Sequence, residues 1–258
     1  MIKTNLHAHT WRCNHATGTE REYIEAAIEA GYERFGFSDH TPYPFPAGYY
    51  STFRMQLSQM KGYVSTLLDL KEEYKDRIDL KIGYEVEYYP KHFKELIKIL
   101  SSCPVDYIIL GQHALQNEYD GEFSGTPSGD VNKLRRYVDQ VCEAMDTGLF
   151  TYFAHPDMLN FTGPGIAFNK EFSRLIEHAK KCGLPLEINL LGLKEGREYP
   201  NERFFALCGR LGAKVCIGTD THHTEDVYRP EVLKKAMDMV GRYGLEVVES
   251  PVLKPVRL

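Results

Sequence analysis

Short apolar runs recur along the chain at Ile2–Leu6, Arg34–Ser38, Leu80–Tyr84, Asp106–Leu110, Thr151–Ala154, Leu186–Leu190, Lys214–Gly218 and Leu245–Glu249. Runs this short and this apolar suit strands buried in a parallel sheet. Between them the apolar positions shift to a spacing of three and four. That spacing predicts helices near Phe53–Tyr74, Lys91–Ser101, Val131–Thr147, Asn169–Cys182, Glu202–Leu211 and Pro230–Tyr243. An earlier helix is marked at both ends. Thr19 and Glu22 form a capping box, Ile24, Ala27 and Ile28 make an apolar face, and Gly31 is its expected stop. Strands alternating with helices make a parallel sheet with right-handed crossovers. Seven or eight such units in 258 residues fit an α/β barrel better than an open sheet.

No sequence repeat and no linker interrupts this order, so residues 1–258 are read as one domain. The stretches Tyr43–Phe53 and Asn117–Asp130 read as long loops, a feature that in compact domains commonly carries function. The aromatic side chains Tyr43, Phe45, Tyr49, Tyr50 and Phe53 have three open roles: covering a site, meeting a second subunit, or packing on the rim.

Composition is that of an ordinary globular protein, 43% apolar and 26% charged, which excludes collagen-like, mucin-like and disordered classes. No apolar run approaches the roughly 18 residues of a membrane span. The first residues also lack a signal-peptide core, so a cytoplasmic protein without a membrane partner is expected. A net charge of -5 and the absence of a basic stripe argue against a nucleic-acid partner. The six cysteines (Cys13, Cys103, Cys142, Cys182, Cys208 and Cys216) include no C-x-x-C pair and are expected mostly as small core residues.

The chemistry gathers where the strands end. After the successive runs come His7-Ala8-His9, Ser38-Asp39-His40, Glu85-Val86-Glu87, Gly111-Gln112-His113, His155-Pro156-Asp157, Glu187-Ile188-Asn189 and Asp220-Thr221-His222-His223. Parallel strands deliver all these ends to one face, where barrel active sites lie. Eight of the ten histidines (His7, His9, His15, His40, His113, His155, His222 and His223) fall in or beside these positions. Only His92 and His178 lie in helical stretches, where a solvated surface role is expected. Converging imidazoles and carboxylates are what borderline transition metals require. The spacings of His7-x-His9 and Asp220-x-His222 put each pair on one face of a strand.

On these motifs the chain resembles the PHP (polymerase and histidinol phosphatase) superfamily of metal-dependent phosphoesterases, and within it the histidinol-phosphatase group. The resemblance spans essentially the whole chain. It rests on His7-x-His9, Cys13-x-His15, Ser38-Asp39-His40, Gly83-x-Glu85, Gly111-Gln112-His113, Ala154-His155-Pro156 and Asp220-x-His222. It implies a distorted (β/α)7 barrel with three divalent ions (zinc, manganese or iron) at the C-terminal ends of the strands. Carried over by motif, His7, His9, Glu85 and Asp220 hold one ion. His15, His40 and His222 hold a second. Glu85, His113 and His155 hold a third, with Glu85 bridging. Glu85, Asp220 and His222 would then stand at the reacting centre. Arg197 matches an arginine that contacts phosphate in resembling phosphatases, a role suited to its planar fork. Asp39 and Asp157 are equally candidates for supporting the ligating histidines and for turn or helix-cap carboxylates, and His223 for a supporting or a substrate-facing position. Glu87 is open between that role, a contact to a cationic part of the substrate, and a solvent ion pair.

The reaction implied is hydrolysis of L-histidinol phosphate to L-histidinol and phosphate by metal-activated hydroxide. Three ions less the charges of Glu85, Asp220 and one hydroxide leave about three positive charges to draw a phosphate dianion into an acidic protein. Asp39, Asp157 and Asp220 remain equal candidates to protonate the leaving oxygen. The alternatives are a PHP-type protein-tyrosine phosphatase and another small-molecule or nucleotide phosphoesterase. An amidohydrolase-like barrel also carries H-x-H but uses a lysine near a middle strand end, which is missing here. A metal-storage module would have no use for Arg197 or for long loops over the site. The expected partner is a small phosphorylated substrate, and the oligomeric state is open.

Overall fold

The computed structural model describes residues 2–256. In chain order the elements are β1 (Thr4–Asn5), α1 (Glu20–Glu29), β2 (Arg34–His40), α2 (Met60–Glu73), β3 (Asp79–Val86), α3 (Pro90–Leu100) and β4 (Tyr107–Gly111). A small hairpin follows, β5 (Ala114–Leu115) and β6 (Glu122–Phe123), then α4 (Val131–Asp146), β7 (Phe153–Ala154), α5 (Gly165–Lys181) and β8 (Leu186–Asn189). The chain continues through α6 (Leu190–Glu195), α7 (Glu202–Leu211), β9 (Lys214–Gly218), α8 (Pro230–Tyr243) and β10 (Glu246–Val247).

Eight strands pair in parallel in the order β1-β2-β3-β4-β7-β8-β9-β10. Beyond β9 the chain returns to the first strand. Ala8 bridges Thr221 in parallel, and His9 N donates to Thr221 O at 2.9 Å. The sheet therefore curls until the extensions of β1 and β9 meet, and β10 lies outside that seam. This is the distorted TIM-like barrel expected from the alternating pattern.

The helices form for the reasons their patterns give. α3 buries Phe93, Leu96, Ile97 and Leu100, a single stripe at helical spacing. α1 has its capping box at Thr19 and Glu22. It ends in a Schellman turn, with Gly31 N donating to Ile28 O and Tyr32 N to Ala27 O, each at 3.0 Å. Gly31 takes φ of 79°, a conformation costly for any other residue there.

The larger core lies between sheet and helices. A smaller one fills the barrel: Leu6, Tyr107, Ile109, Tyr152, Ala154 and Cys216. The Tyr107 hydroxyl crosses the barrel to the carbonyl oxygens of Leu6 (2.8 Å) and Phe37 (3.2 Å). A Cβ at Gly36 or Gly83 would collide with its ring, so these strands carry glycine where the tyrosine passes. The polar strand ends follow directly after this plug.

Four expectations need correction. The run Leu186–Leu190 stops at Asn189, whose side chain accepts from Gly192 N at 2.9 Å and starts the short helix α6. The helix read from Phe53 begins only at Met60, after a 3-10 turn at Leu57–Gln59, because Arg54 is drawn into the interior. The stretch Asn117–Asp130 holds one strand of a hairpin, β6, paired with β5. Neither helical histidine is freely solvated. His92 packs against Phe45 and Tyr119, with ring centroids at 5.8 and 5.9 Å, and His178 pairs with Asp146 at 2.8 Å.

All six cysteines are unpaired; Cys103 and Cys182 are half-buried and the others buried. No described helix is long and apolar enough to cross a membrane.

A candidate metal centre at the strand ends

Glu85, at the C-terminal end of β3, touches five imidazoles. Its Oε1 lies 2.8 Å from His155 Nε2 and 3.5 Å from His113 Nε2. Its Oε2 lies 2.9 Å from His40 Nδ1 and 3.7 Å from both His7 Nε2 and His9 Nε2. Gly111 on the neighbouring strand leaves room for this carboxylate, since a Cβ there would overlap it. Asp220 faces Glu85 from the other side of His7 and His9. Its Oδ1 is 3.0 Å from His9 Nε2, 3.4 Å from His7 Nε2 and 3.6 Å from His222 Nδ1. Asp220 and His155 both hold left-handed backbone, φ 52° and 32°, a conformation that concentrates at functional sites when non-glycine residues adopt it.

The imidazoles are gripped from behind. His7 Nδ1 meets Glu187 Oε1 at 2.8 Å, His113 Nδ1 meets Glu87 Oε1 at 2.8 Å, His15 Nδ1 meets Cys13 O at 2.8 Å, and His222 Nδ1 meets Asp220 O at 3.0 Å. Each acceptor fixes the proton on Nδ1 and leaves Nε2 as the donor atom, the arrangement of metal-ligating histidine. His9 and His222 stack with centroids 4.1 Å apart, and His15 stacks on His222 at 4.5 Å, exposed at the mouth.

These side chains fit divalent cations. Several sets bring one ligand atom per residue within 4.8 Å of one another, among them His7, His9 and Asp220; His9, His40 and His222; His7, Glu85 and His155; and Cys13, His15 and His222. His7 Nε2, both nitrogens of His9, His40 Nδ1, Glu85 Oε2 and His222 Nε2 are buried and make no well-aligned hydrogen bond, although His40 approaches Glu85 and His9 approaches Asp220. Such atoms are costly unless something else satisfies them. Asp39, Glu85, Glu87, Glu187 and Asp220 bury five carboxylates in this region. Arg54 is the buried guanidinium that meets them, through Glu87. Burying this many anions requires compensating positive charge. The side chains alone respond accordingly. Burial opposes charge on all of them, yet His113 and His40 hold the Glu85 carboxyl well below its usual range, and His7 does the same for Asp220. Against the same burial, Asp220 and Glu187 push His7 well up, while Asp220 and Asp39 raise His9 to about 9. Burial holds His40 and His222 well below their usual value.

The supporting residues divide. Asp39 accepts from Thr10 and from His40 N (2.7 Å), and its Oδ1 stands 3.6 Å from His9 Nδ1. Glu87 is fully buried between Arg54 and His113, so neither a solvent ion pair nor a substrate contact describes it. Asp157 meets none of the site's imidazoles. It accepts from Asn201 N, holding the loop ahead of α7, and burial pushes its carboxyl up to about 7. His223 borders the cleft, with Nδ1 2.8 Å from Thr17 Oγ1.

The sequence pattern puts Glu187 and Asn189, on β8, among the strand-end groups but assigns them no role; the structure does. Glu187 Oε2 accepts from His155 N (3.0 Å) and Asn189 Nδ2 (2.9 Å), and Asn189 Nδ2 also reaches Asp220 Oδ2 at 3.1 Å. One strand thereby steadies groups from three others. Their i, i+2 spacing on a strand was the available signal, the same as in His7-x-His9.

Above the cluster lies a cleft of about 340 Å³. Phe53, Phe123, Met158 and Leu191 give it apolar walls, and Arg197, Glu195 and Tyr199 line its polar side. Arg197 Nε lies 2.7 Å from Glu195 Oε2, and one terminal nitrogen donates to the Tyr199 hydroxyl at 2.6 Å. Of the aromatic loop, Phe53 reaches the cleft, Tyr43 and Phe45 pack on the rim, and Tyr50 stays exposed.

The chain is similar along most of its length to proteins named histidinol-phosphatase. A probable histidinol-phosphatase of Deinococcus radiodurans is 29% identical over 246 residues, covering 92% of this chain and 93% of that protein. A histidinol-phosphatase of Lactococcus lactis is 28% identical over 235 residues, covering 86% and 85%. The crystal structure of histidinol phosphate phosphatase from Lactococcus lactis, complexed with zinc, L-histidinol and phosphate, shares the fold. Its TM-score is 0.74 at 20% identity, over 96% of this chain and 95% of that one. The PHP domain model matches residues 5–190, from β1 to the start of α6 and well over half of the sequence, and the chain belongs to the PHP domain family.

Proposed function

We propose that this protein is a metal-dependent phosphomonoesterase that hydrolyses L-histidinol phosphate to L-histidinol and inorganic phosphate. One observation carries the reading. Buried, unpartnered imidazole and carboxylate atoms converge at the floor of a cleft whose rim bears a guanidinium, Arg197. Full-length similarity to histidinol-phosphatases narrows the substrate.

In this reading His7, His9, Glu85 and Asp220 hold one divalent ion, His15, His40 and His222 a second, and Glu85, His113 and His155 a third. The two oxygens of Glu85 already face different imidazoles, which suits a bridge. Zinc accompanies the Lactococcus lactis enzyme; zinc, manganese and iron all suit this donor set. When bound, such ions neutralise phosphate charge and bring the pKa of coordinated water to about 7.

The chain's own residues do the rest. Arg197 turns its fork from Glu195 and Tyr199 to two phosphate oxygens and stabilises the charge they gain during transfer. Phe53 and Phe123 exclude water from the flanks. Of the three carboxyl groups considered for the leaving oxygen, Asp39 and Asp157 are turned away from the cleft and Asp220 lines it. Asp220, held ionised and committed to an ion in this reading, has no proton to give, so the rim imidazole of His223 is the group to supply it.

The test is phosphate release by purified, metal-quantified protein, with histidinol phosphate beside a phosphotyrosine peptide, mononucleotides and p-nitrophenyl phosphate. The expected result is a strong kcat/KM preference for histidinol phosphate. Preference for another phosphomonoester would keep the metal chemistry and discard the named substrate. Inactivity of fully loaded protein on all four would overturn the reading.

A further inference from the structure

Arg54 is among the largest side chains the fold buries completely, at 1% exposure, and it does not enter the cleft. It follows directly on the aromatic loop. Its two terminal nitrogens clasp Glu87, at 2.8 and 3.1 Å, while one of them also donates to Thr41 O at 2.7 Å. Its Nε donates to Glu118 Oε2 at 2.6 Å. The same Glu87 oxygen that receives Arg54 stands 2.8 Å from His113 Nδ1. The guanidinium carbon lies 4.5 Å from the centroid of Phe53, whose ring meets His40 and His113 edge-on at 5.4 and 5.9 Å.

This arrangement does not look like a stabilising clamp. Burying one cation with two carboxylates leaves a net negative charge in the interior, and apolar residues of similar volume commonly serve stability as well or better. What it provides is direction. A fork bound to both oxygens of Glu87 fixes that carboxylate in plane and aims it at His113. The imidazole then keeps its proton on Nδ1 and presents Nε2 as a strong donor, and such outer partners govern metal affinity. Lysine, a point charge with no fixed fork, cannot hold Glu87, Glu118 and Thr41 O together.

We propose that Arg54 is a positioning residue that acts through Glu87 on His113, setting cation affinity at His113 and anchoring Phe53 as a wall of the cleft. The proposal rests on the reading of His113 as a ligand. It couples the aromatic loop to the metal centre. Asn14 Nδ2 donates to Arg54 O at 3.2 Å, and Tyr49 donates to Glu118 at 2.8 Å, so two loops meet at this one residue.

The test compares Arg54→Lys, Arg54→Met, Glu87→Gln and the Arg54→Lys/Glu87→Gln double variant with the parent. Arg242→Gln, an exposed change that touches none of the candidate ligands and does not line the cleft, is the control. Two quantities are read: affinity of the zinc ion that shifts the His113 signals, by titration of stripped protein, and the nitrogen-15 signature of the His113 tautomer in stripped protein. Arg54→Lys is expected to weaken that ion by about 10- to 100-fold and to lose the Nδ1–H form of His113. Glu87→Gln should do the same, and the double variant no worse than the more severe single, because both act through one path. Unchanged zinc affinity and tautomer in Arg54→Lys, with only a lower Tm, would overturn the proposal. If Arg54→Met does not fold, the charge-keeping Lys variant still decides. If zinc leaves the His113 signals of the parent unmoved, the ligand assignment and this proposal fail together, while phosphate release on histidinol phosphate separately tests the activity.

Discussion

Glu187 and His7 stand 180 positions apart in sequence, yet Glu187 Oε1 lies 2.8 Å from His7 Nδ1 with both side chains fully buried. The contact ties the end of β1 to β8, one strand beyond the seam where the extensions of β1 and β9 meet. A Cβ at Gly218 would overlap the Glu187 carboxylate, so the neighbouring strand is cut back to make the contact possible.

Glu187→Gln is therefore expected to cost more than its conservative chemistry suggests. The amide keeps shape and one acceptor but loses the charge that holds His7 in a single tautomer. An expected loss of about 10- to 100-fold in metal affinity or kcat/KM follows from the behaviour of such outer partners. Metal titration beside kinetics checks it, and parent-like values in both would remove Glu187 from the supporting network.

The sequence made some of this legible and hid the rest for identifiable reasons. Strands were readable because their apolar runs are bounded by turns, and the eight strand-end histidines stood out because imidazole is unusual there. Glu187 stands at a strand end in the sequence, but nothing local tells which imidazole it supports; its place against His7 depends on Gly218, on the next strand. Helical periodicity extends over Arg54, whereas its fork is consumed by carboxylates from two other segments. Asp157 was grouped with His155 by proximity in sequence, but the left-handed backbone at His155 turns the chain, and Asp157 ends beside Asn201. α6 has too few residues for helical periodicity to register.

Gly111→Ala tests the close approach at Glu85. The added methyl occupies space now held by the Glu85 carboxylate. Overpacking of this kind costs about 1–3 kcal/mol. The expected pattern is a modest drop in Tm with a disproportionate loss of bound metal and activity, measured by thermal unfolding and elemental analysis. A variant that keeps its full metal complement would show that Glu85 can move aside.

Arg197→Lys separates phosphate contact from metal binding. Arg197 borders the cleft and meets none of the candidate ligands directly, its partners being Glu195 and Tyr199. Metal content should remain that of the parent. Loss of a transition-state donor of this type typically lowers kcat by about 10²- to 10³-fold. A parent-like kcat would place the phosphate elsewhere in the cleft.

Metal removal should affect stability as well as turnover. Without cations, five buried carboxylates and several unpartnered imidazole nitrogens must be accommodated by protonation or by water. Each ion bound only by the folded state, at a free concentration 100 times its Kd, adds about 2.7 kcal/mol to unfolding. Chelation followed by dialysis should therefore abolish phosphate release and lower Tm, and added zinc or manganese should restore both together. The two effects share one cause, since the atoms that pay for their burial by binding cations are the same atoms that prepare the site for phosphate. Full activity in protein verified as metal-free would overturn the mechanism, and restored Tm without restored turnover would point to an ion that stabilises the fold but is the wrong one for the reaction.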